Sequence, residues 1–106
     1  MRIPLSSVDP GFSSALRSLL VAAGENALAL EVDSLNIINR CRCGDDFCAT
    51  FYTQPPPAGA HGPAHRNVIL DPKEGMIILD VVDEHVACVE VLYNEPFRQR
   101  LLAAFP

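Results

Sequence analysis

The stretch Gly75–Tyr93, GMIILDVVDEHVACVEVLY, decides the fold of this chain. It contains two runs rich in β-branched residues, and between them lie Asp83 and Glu84, which act as turn residues. The stretch therefore predicts an antiparallel hairpin. A third run, RNVIL at Arg66–Leu70, is joined to it by the turn residues Asp71–Gly75, so a meander of three strands is the economical topology.

This predicted hairpin carries apolar residues on both of its faces. With a two-residue turn at Asp83 and Glu84, regular alternation assigns every other side chain to the same face. One face then holds Met76, Ile78, Ala87, Val89, Val91 and Tyr93, and the other holds Ile77, Leu79, Val81, Val86, Cys88 and Leu92. Either the helices and a cysteine-rich segment cover both faces, or the second face meets a partner chain, which would be a second copy or an unknown protein.

Helical signals lie near both ends of the chain. Asp9 followed by Pro10 is typical of an N-cap and a first helical residue, and apolar residues then recur at helical spacing. Because Gly24 closes this segment, the pattern predicts a helix over Pro10–Ala23. Asn94 predicts the cap of a second helix that runs through EPFRQRLLAAF.

Three further segments are interpreted as strands. NALALEV, at Asn26–Val32, has the composition of a helix, but its short length and its flanking turn residues favour a strand. NIINRCRC at Asn36–Cys43 and CATFYT at Cys48–Thr53 are further strand segments. The whole pattern predicts one α+β domain over residues 1–106, with an antiparallel sheet of four to six strands packed with an N-terminal and a C-terminal helix.

The segment Gln54–His65, QPPPAGAHGPAH, interrupts this pattern. Proline removes backbone donors and fixes φ, so the segment holds neither a helix nor an internal strand. It is predicted to be an exposed loop within the domain, and loops of this length are either mobile or functional.

The charge balance excludes several classes of partner. The net charge is −5 and the basic residues are scattered, which argues against binding nucleic acid or an anionic membrane surface. The first ten residues have no apolar core of a signal peptide, and every longer apolar run is interrupted by acidic residues. A cytoplasmic location is expected, where cysteines stay reduced.

Three of the four cysteines, Cys41, Cys43 and Cys48, lie within eight residues of one another. A hairpin that turns near Asp45 and Asp46 places Cys43 opposite Cys48 and all three sulfurs on one face. Zinc is the one cofactor that this pattern brings into consideration. It needs four nitrogen or sulfur ligands, so the candidate set is these three cysteines with His61 or His65, although the paired C-x₂-C spacing is missing.

Two other interpretations of the cysteines stay open. In the first, Cys43 and Cys48 form a reversible disulfide, with Arg40 and Arg42 stabilising thiolates. In the second, which the sequence favours, the cysteines are small apolar residues packed beneath a helix or at an interface. The remaining cysteine, Cys88, is expected to be of this kind.

No enzyme signature is present among the glycines, serines and histidines, so the sequence leans away from catalysis.

From CRCGDDFCATFYT through RNVILDP to GMIILDVVDEHVACVEVLY, the chain resembles a family of small uncharacterised bacterial proteins. That family pairs a CxCG…C…FYT hairpin with a C-terminal LDVVD…VEVLY hairpin. The resemblance implies a bacterial cytosolic α+β domain, and no activity or site is carried over from it. The sequence therefore favours a non-enzymatic protein-interaction module, with a zinc or redox-thiol site on Cys41, Cys43 and Cys48 as the alternative.

Overall fold

A computed structural model describes residues 1–106, which form four helices and seven strands. In chain order the elements are β1 (Ile3–Pro4), α1 (Leu5–Val8), α2 (Pro10–Ala22), α3 (Asn26–Val32), β2 (Asn36–Ile37), β3 (Asn39–Arg40), β4 (Phe51–Tyr52), β5 (His65–Leu70), β6 (Met76–Val82), β7 (His85–Leu92) and α4 (Glu95–Ala104).

The strands form two antiparallel sheets. One has five strands in the order β3-β4-β7-β6-β5, and the other pairs β1 with β2. The predicted meander of β5, β6 and β7 is present, and a helix lies near each end of the chain, as predicted. The predicted α+β fold is therefore confirmed.

The turn between β6 and β7 has two residues, Asp83 and Glu84, as predicted. Both have positive φ, 52° and 62°, which is the conformation that lets a two-residue turn follow the twist of its strands. The turn pairs Val82 with His85 at the end of the hairpin.

A β-bulge one step further along overturns the predicted faces of this hairpin. Val81 pairs with Val86, but the next residue of β6, Asp80, pairs with Cys88, so Ala87 is an extra residue in β7. In a regular ladder Cys88 would have shared a face with Leu79. The bulge reverses the orientation of every later side chain of β7.

The hairpin consequently has one apolar face and one mixed face. The apolar face is fully buried and consists of Ile77, Leu79, Val81, Val86, Val89 and Val91. The opposite face carries Asp80, Cys88 and Glu90 among its residues. The prediction of two apolar faces is therefore wrong, and the homodimer that rested on it stays a prediction without this support.

The two end helices begin at the capping residues that the sequence indicates. The Asp9 carboxylate accepts a hydrogen bond from the Phe12 N–H at 3.0 Å, and the Asn94 side chain accepts one from the Phe97 N–H at 3.2 Å. The rings of Phe12 and Phe97 stack with centroids 4.0 Å apart, and both contact the edge or face of Phe51 from β4. This aromatic group joins both helices to the sheet within a core of 22 buried residues.

The segment Asn26–Val32 is a helix, so the strand interpretation is wrong there. Leu28, Ala29 and Val32 are buried on one side, which is the three- and four-residue spacing of a helix. Alanine and leucine have high helix propensity, and packing against α2 stabilises a helix that would be too short in isolation.

The two predicted strands around the cysteines are much shorter than expected. Regular pairing between these two segments is limited to Asn39–Arg40 with Phe51–Tyr52, and Cys48 makes only an isolated bridge to Leu92. The residues between form a loop in which Gly44 has a φ of +84°, a conformation that favours glycine. The loop Gln54–Ala64 contains no helix or strand, and its residues from Pro55 to Ala60 are exposed.

Candidate functional site

The three cysteines of the segment Cys41–Cys48 come together at one end of the five-stranded sheet. Their sulfur atoms all lie within 4.8 Å of one another, and all are free thiols. Cys41 and Cys48 are half-buried, whereas Cys43 is exposed. The predicted convergence of the three sulfurs is therefore confirmed, although a loop rather than a regular hairpin produces it. We call this group the cysteine cluster.

Backbone hydrogen bonds determine the shape of this loop. The Cys41 N–H donates to the Thr50 carbonyl at 2.8 Å, which continues the register of β3 and β4 by one residue as predicted. The Cys48 N–H donates to the Asp45 carbonyl at 3.3 Å and closes the turn that follows Gly44. These bonds bring Cys48 back toward Cys41 and Cys43.

The loop is also attached to the end of β7. The Ala49 N–H donates to the Val91 carbonyl at 2.8 Å, and the Tyr93 N–H donates to the Phe47 carbonyl at 2.9 Å. The rings of Phe47 and Tyr93 stack with centroids 5.0 Å apart. The cysteine cluster is thus held against the hairpin that forms the centre of the sheet.

Two arginines connect the cysteine segment to the residues after α4. The Arg40 guanidinium donates to the Phe105 carbonyl and, at 3.3 Å, to the Cys41 carbonyl. Arg42 donates to the Pro106 backbone oxygen at 3.1 Å. The predicted role of these arginines as partners of thiolates therefore gives way to a positioning role, because they donate to backbone oxygens and, for Arg42, also to the Asn39 side chain at 3.3 Å.

The cysteine cluster perturbs the acidity of its own members. Burial raises the pKa of Cys48, but hydrogen bonds from Thr50 and from the other two thiols outweigh it and leave that pKa below its ordinary value. A hydrogen bond from the Asp45 backbone lowers the pKa of Cys43, yet its hydrogen bonds to Cys48 and Cys41 raise the pKa to about 11. Among the cluster's thiols, Cys48 is thus favoured over Cys43 as the thiolate.

A cleft of about 450 Å³ opens beside the cysteine cluster. Cys41 and Cys48 line one end of it, and the mixed face of the hairpin forms its floor with Asp80, Cys88 and Glu90. The loop that follows β4 contributes three consecutive prolines and His61 to its rim: Pro55, Pro56, Pro57 and His61. A second hollow of about 550 Å³ lies against α2, but its lining includes no histidine or cysteine.

The two candidate histidines form a group with Asp80 rather than with the sulfurs. The rings of His61 and His65 stack with centroids 4.2 Å apart, and His65 Nε2 lies 2.8 Å from Asp80 Oδ1. One ligand atom from each of these three residues lies within 4.8 Å of the other two. The predicted zinc set is therefore divided, since neither histidine belongs to the cluster of sulfurs.

Asp80 and Glu90 both lie on the floor of the cleft, and each shifts the pKa of the other. Burial raises the pKa of Glu90, and the hydrogen bond and negative charge of Asp80 raise it further, to about 7. Burial also raises the pKa of Asp80, but hydrogen bonds from Glu90, His65 and Asn67 outweigh it and hold that pKa below its usual value. Of the two carboxyl groups, Glu90 therefore takes up a proton first as pH falls.

Sequence reasoning missed the floor of the cleft. Cys88 was expected to be a core residue; it is buried, but it lines the cleft, where burial and the charges of Asp80 and Glu90 raise the pKa of its thiol. The one available signal was Glu90 itself, because a carboxylate on an otherwise apolar strand face is rarely buried without a partner.

None of the four helices combines the length and apolar character needed to cross a bilayer. Comparisons of the chain with protein-family models, with curated proteins and with solved structures gave no match. The function of the cleft must therefore be inferred from its own residues.

Proposed function

We propose that the protein binds a thiophilic metal ion, zinc in the first instance, through Cys41, Cys43 and Cys48. The observation that carries this proposal is the mutual approach of the three sulfurs to within 4.8 Å. Zinc–sulfur bonds of about 2.3 Å in tetrahedral geometry place the sulfurs roughly 3.8 Å apart. Small side-chain rotations within the existing loop are enough to reach that spacing.

The loop is arranged in a way that favours binding over simple packing. Buried cysteines that serve as small apolar residues contact other apolar side chains, but Cys43 is exposed and Cys41 and Cys48 border an open cleft. The hydrogen bonds that involve Thr50 and Arg40 hold the segment in place before any ion arrives. This arrangement reduces the ordering that binding requires.

Three protein ligands leave one position of a tetrahedral ion open. Cys41 and Cys48 line the cleft, so a water molecule or another small donor in the cleft would complete the coordination. The proposal includes a cytoplasmic location, where thiols remain reduced. A protein-interaction module is a weaker candidate, because the apolar second face that suggested it is the mixed floor of a cleft.

The proposal is tested with cobalt as a spectroscopic probe of zinc. Purified chain is stripped of metal with chelator under reductant, its thiols are counted, and Co²⁺ is added. We expect four free thiols, and an intense sulfur-to-cobalt charge-transfer absorption that saturates at one ion per chain and is bleached by Zn²⁺. Cys41→Ser, Cys43→Ser and Cys48→Ser combined should abolish the absorption, since serine provides no thiolate.

Cys88→Ala is the matched control, because it also removes one cysteine from the cleft but not from the cysteine cluster. It should retain the charge-transfer absorption at full stoichiometry. A wild-type chain with four free thiols and no such absorption would contradict the proposal. A count of two free thiols in protein purified without reductant would instead favour the disulfide of Cys43 and Cys48.

A further inference from the structure

We propose that the cleft holds a second, separate cation site, formed by His61, His65 and Asp80, which takes a divalent transition-metal ion through two imidazole nitrogens and one carboxylate oxygen. This site goes beyond the thiol site and does not depend on it, since the two share no ligand.

The three side chains bring their ligand atoms close together. Each offers a ligand atom within 4.8 Å of the other two, and His65 Nε2 lies 2.8 Å from Asp80 Oδ1. Bonds of about 2.0–2.2 Å to a tetrahedral zinc ion place nitrogen and oxygen ligands roughly 3.4 Å apart. Because imidazole nitrogens bind an ion in the plane of the ring, the His61 ring would turn out of its parallel stack with His65 to complete the set.

The sheet positions two of the three ligands together with a supporting residue. His65 and Asn67 are two residues apart on β5 and so share a face, and Asn67 is the cross-strand partner of Asp80 on β6. The Asn67 amide donates to Asp80 Oδ1 at 2.8 Å. Such outer contacts orient a ligating carboxylate and are a regular feature of metal sites.

The loop supplies the third ligand, His61. His61 follows a run of exposed residues, yet its side chain is half-buried and lies over the ring of His65 at an interplanar angle of 16°. The fold thus holds two imidazole side chains next to each other. Asp80, only 9% exposed, directs its charge into the same place.

The donor set determines the class of ion. Two imidazoles and one carboxylate suit zinc, nickel, cobalt and ferrous iron, and they leave positions open toward the cleft. Magnesium and calcium prefer oxygen ligands alone, so neither is expected to compete. The thiolates of the cysteine cluster are softer ligands for the same class of ion, so the two sites are measured separately by replacing the three cysteines.

The test uses full-length chain without a polyhistidine tag and Ni²⁺ as the probe. In the background that combines Cys41→Ser, Cys43→Ser and Cys48→Ser, calorimetric titration should show one Ni²⁺ per chain. Adding His61→Ala should weaken that binding by about tenfold or more, because one of three ligands is lost. Because this background has no cysteine site, any Ni²⁺ binding in it reports on the histidine site alone. The result therefore does not depend on whether the proposed function is correct.

His85→Ala is the matched control, since it removes the chain's remaining histidine, which is exposed and contacts Glu31 at the turn between β6 and β7. It should leave the Ni²⁺ affinity unchanged. In the unmutated chain, the NMR signals of the His61 and His65 rings should shift with Zn²⁺ while those of His85 stay. Absence of Ni²⁺ binding, an affinity that His61→Ala does not change, or unshifted rings of His61 and His65 would overturn the proposal.

Discussion

The carboxyl pair on the floor of the cleft makes a specific prediction about stability. In the metal-free protein the pKa of Glu90 is raised from 4.5 to about 7, first by burial and then by Asp80. The native state therefore keeps a proton that the unfolded chain loses at a lower pH. Between these two values the native state binds more protons, so the free energy of unfolding falls as pH rises.

The magnitude follows from the size of the pKa difference. A change from 4.5 to about 7 corresponds to roughly 3.4 kcal/mol at about 1.36 kcal/mol per pKa unit. Glu90 borders a cleft open to solvent, so screening reduces the destabilisation of the native state by ionised Glu90 to about 1–2 kcal/mol. The destabilisation is absent below pH 4.5, grows as pH rises toward 7 and is fully present above it.

Glu90→Gln tests this reasoning because glutamine keeps the shape and can still donate a hydrogen bond to Asp80. Urea unfolding with chelator and reductant present should show the variant more stable than wild type by about 1–2 kcal/mol at pH 8. The two proteins should have the same stability at pH 4.5. His65 and Cys88 face the same carboxyl pair and are unchanged in the variant.

Glu74→Gln provides the control, since Glu74 is exposed in the turn between β5 and β6 and its substitution removes the same formal charge. It should shift the stability at pH 8 by less than about 0.5 kcal/mol. A stability gain for Glu90→Gln that is equal at both pH values, or a loss at pH 8, would refute the raised pKa of Glu90.

Two further predictions concern the hairpin faces and the cysteine segment. Val89→Ser should lower the free energy of unfolding, measured with urea, by about 3 kcal/mol or more because Val89 is fully buried. Ile78→Ser on the mixed face should lower it by less than about 2 kcal/mol. Equal losses for the two variants would contradict the bulge register. Arg40→Ala removes the bonds to the carbonyls of Phe105 and Cys41, so it should lower Co²⁺ affinity at the cysteine cluster about tenfold in the charge-transfer titration. An unchanged affinity would show that this positioning is dispensable.

The helices at both ends could be predicted because their signals are local. Asp9 and Asn94 each accept a hydrogen bond from a backbone N–H three residues later, and that bond requires nothing from the rest of the fold. Asn26–Val32 was different, because a seven-residue helix depends on the α2 surface against which it packs. Its alanines and leucines indicated a helix, whereas its short length suggested a strand.

The candidate site could be predicted only in its local part. Cys41, Cys43 and Cys48 are close in sequence, so a turn near Gly44 was enough to bring their sulfurs together. The position of His61 depends on how a proline-rich loop crosses the sheet, and no spacing in the sequence encodes that path. The histidines were consequently assigned to the sulfurs, although the structure groups them with Asp80.

The β-bulge at Ala87 connects the core, the cleft and the loop. In regular pairing Glu90 would lie opposite Ile77, and a carboxyl group would then face the hydrophobic core. The extra residue places Glu90 and Cys88 on the cleft side of the sheet, so Val89 and Val91 face the hydrophobic core instead.

The same bulge also anchors the start of the proline-rich loop. The carbonyl of Ala87 accepts hydrogen bonds from the backbone N–H groups of Thr53 and Gln54, at 3.0 and 3.2 Å. The Thr53 hydroxyl adds a bond to the carbonyl of Val86 at 2.8 Å. The loop that carries His61 to the cleft thus begins at the irregularity that created the cleft floor. Bulges concentrate beside functional sites because they redirect side chains without unfolding a sheet. Here one extra residue accounts for the floor of the cleft and for the start of the loop that forms its rim.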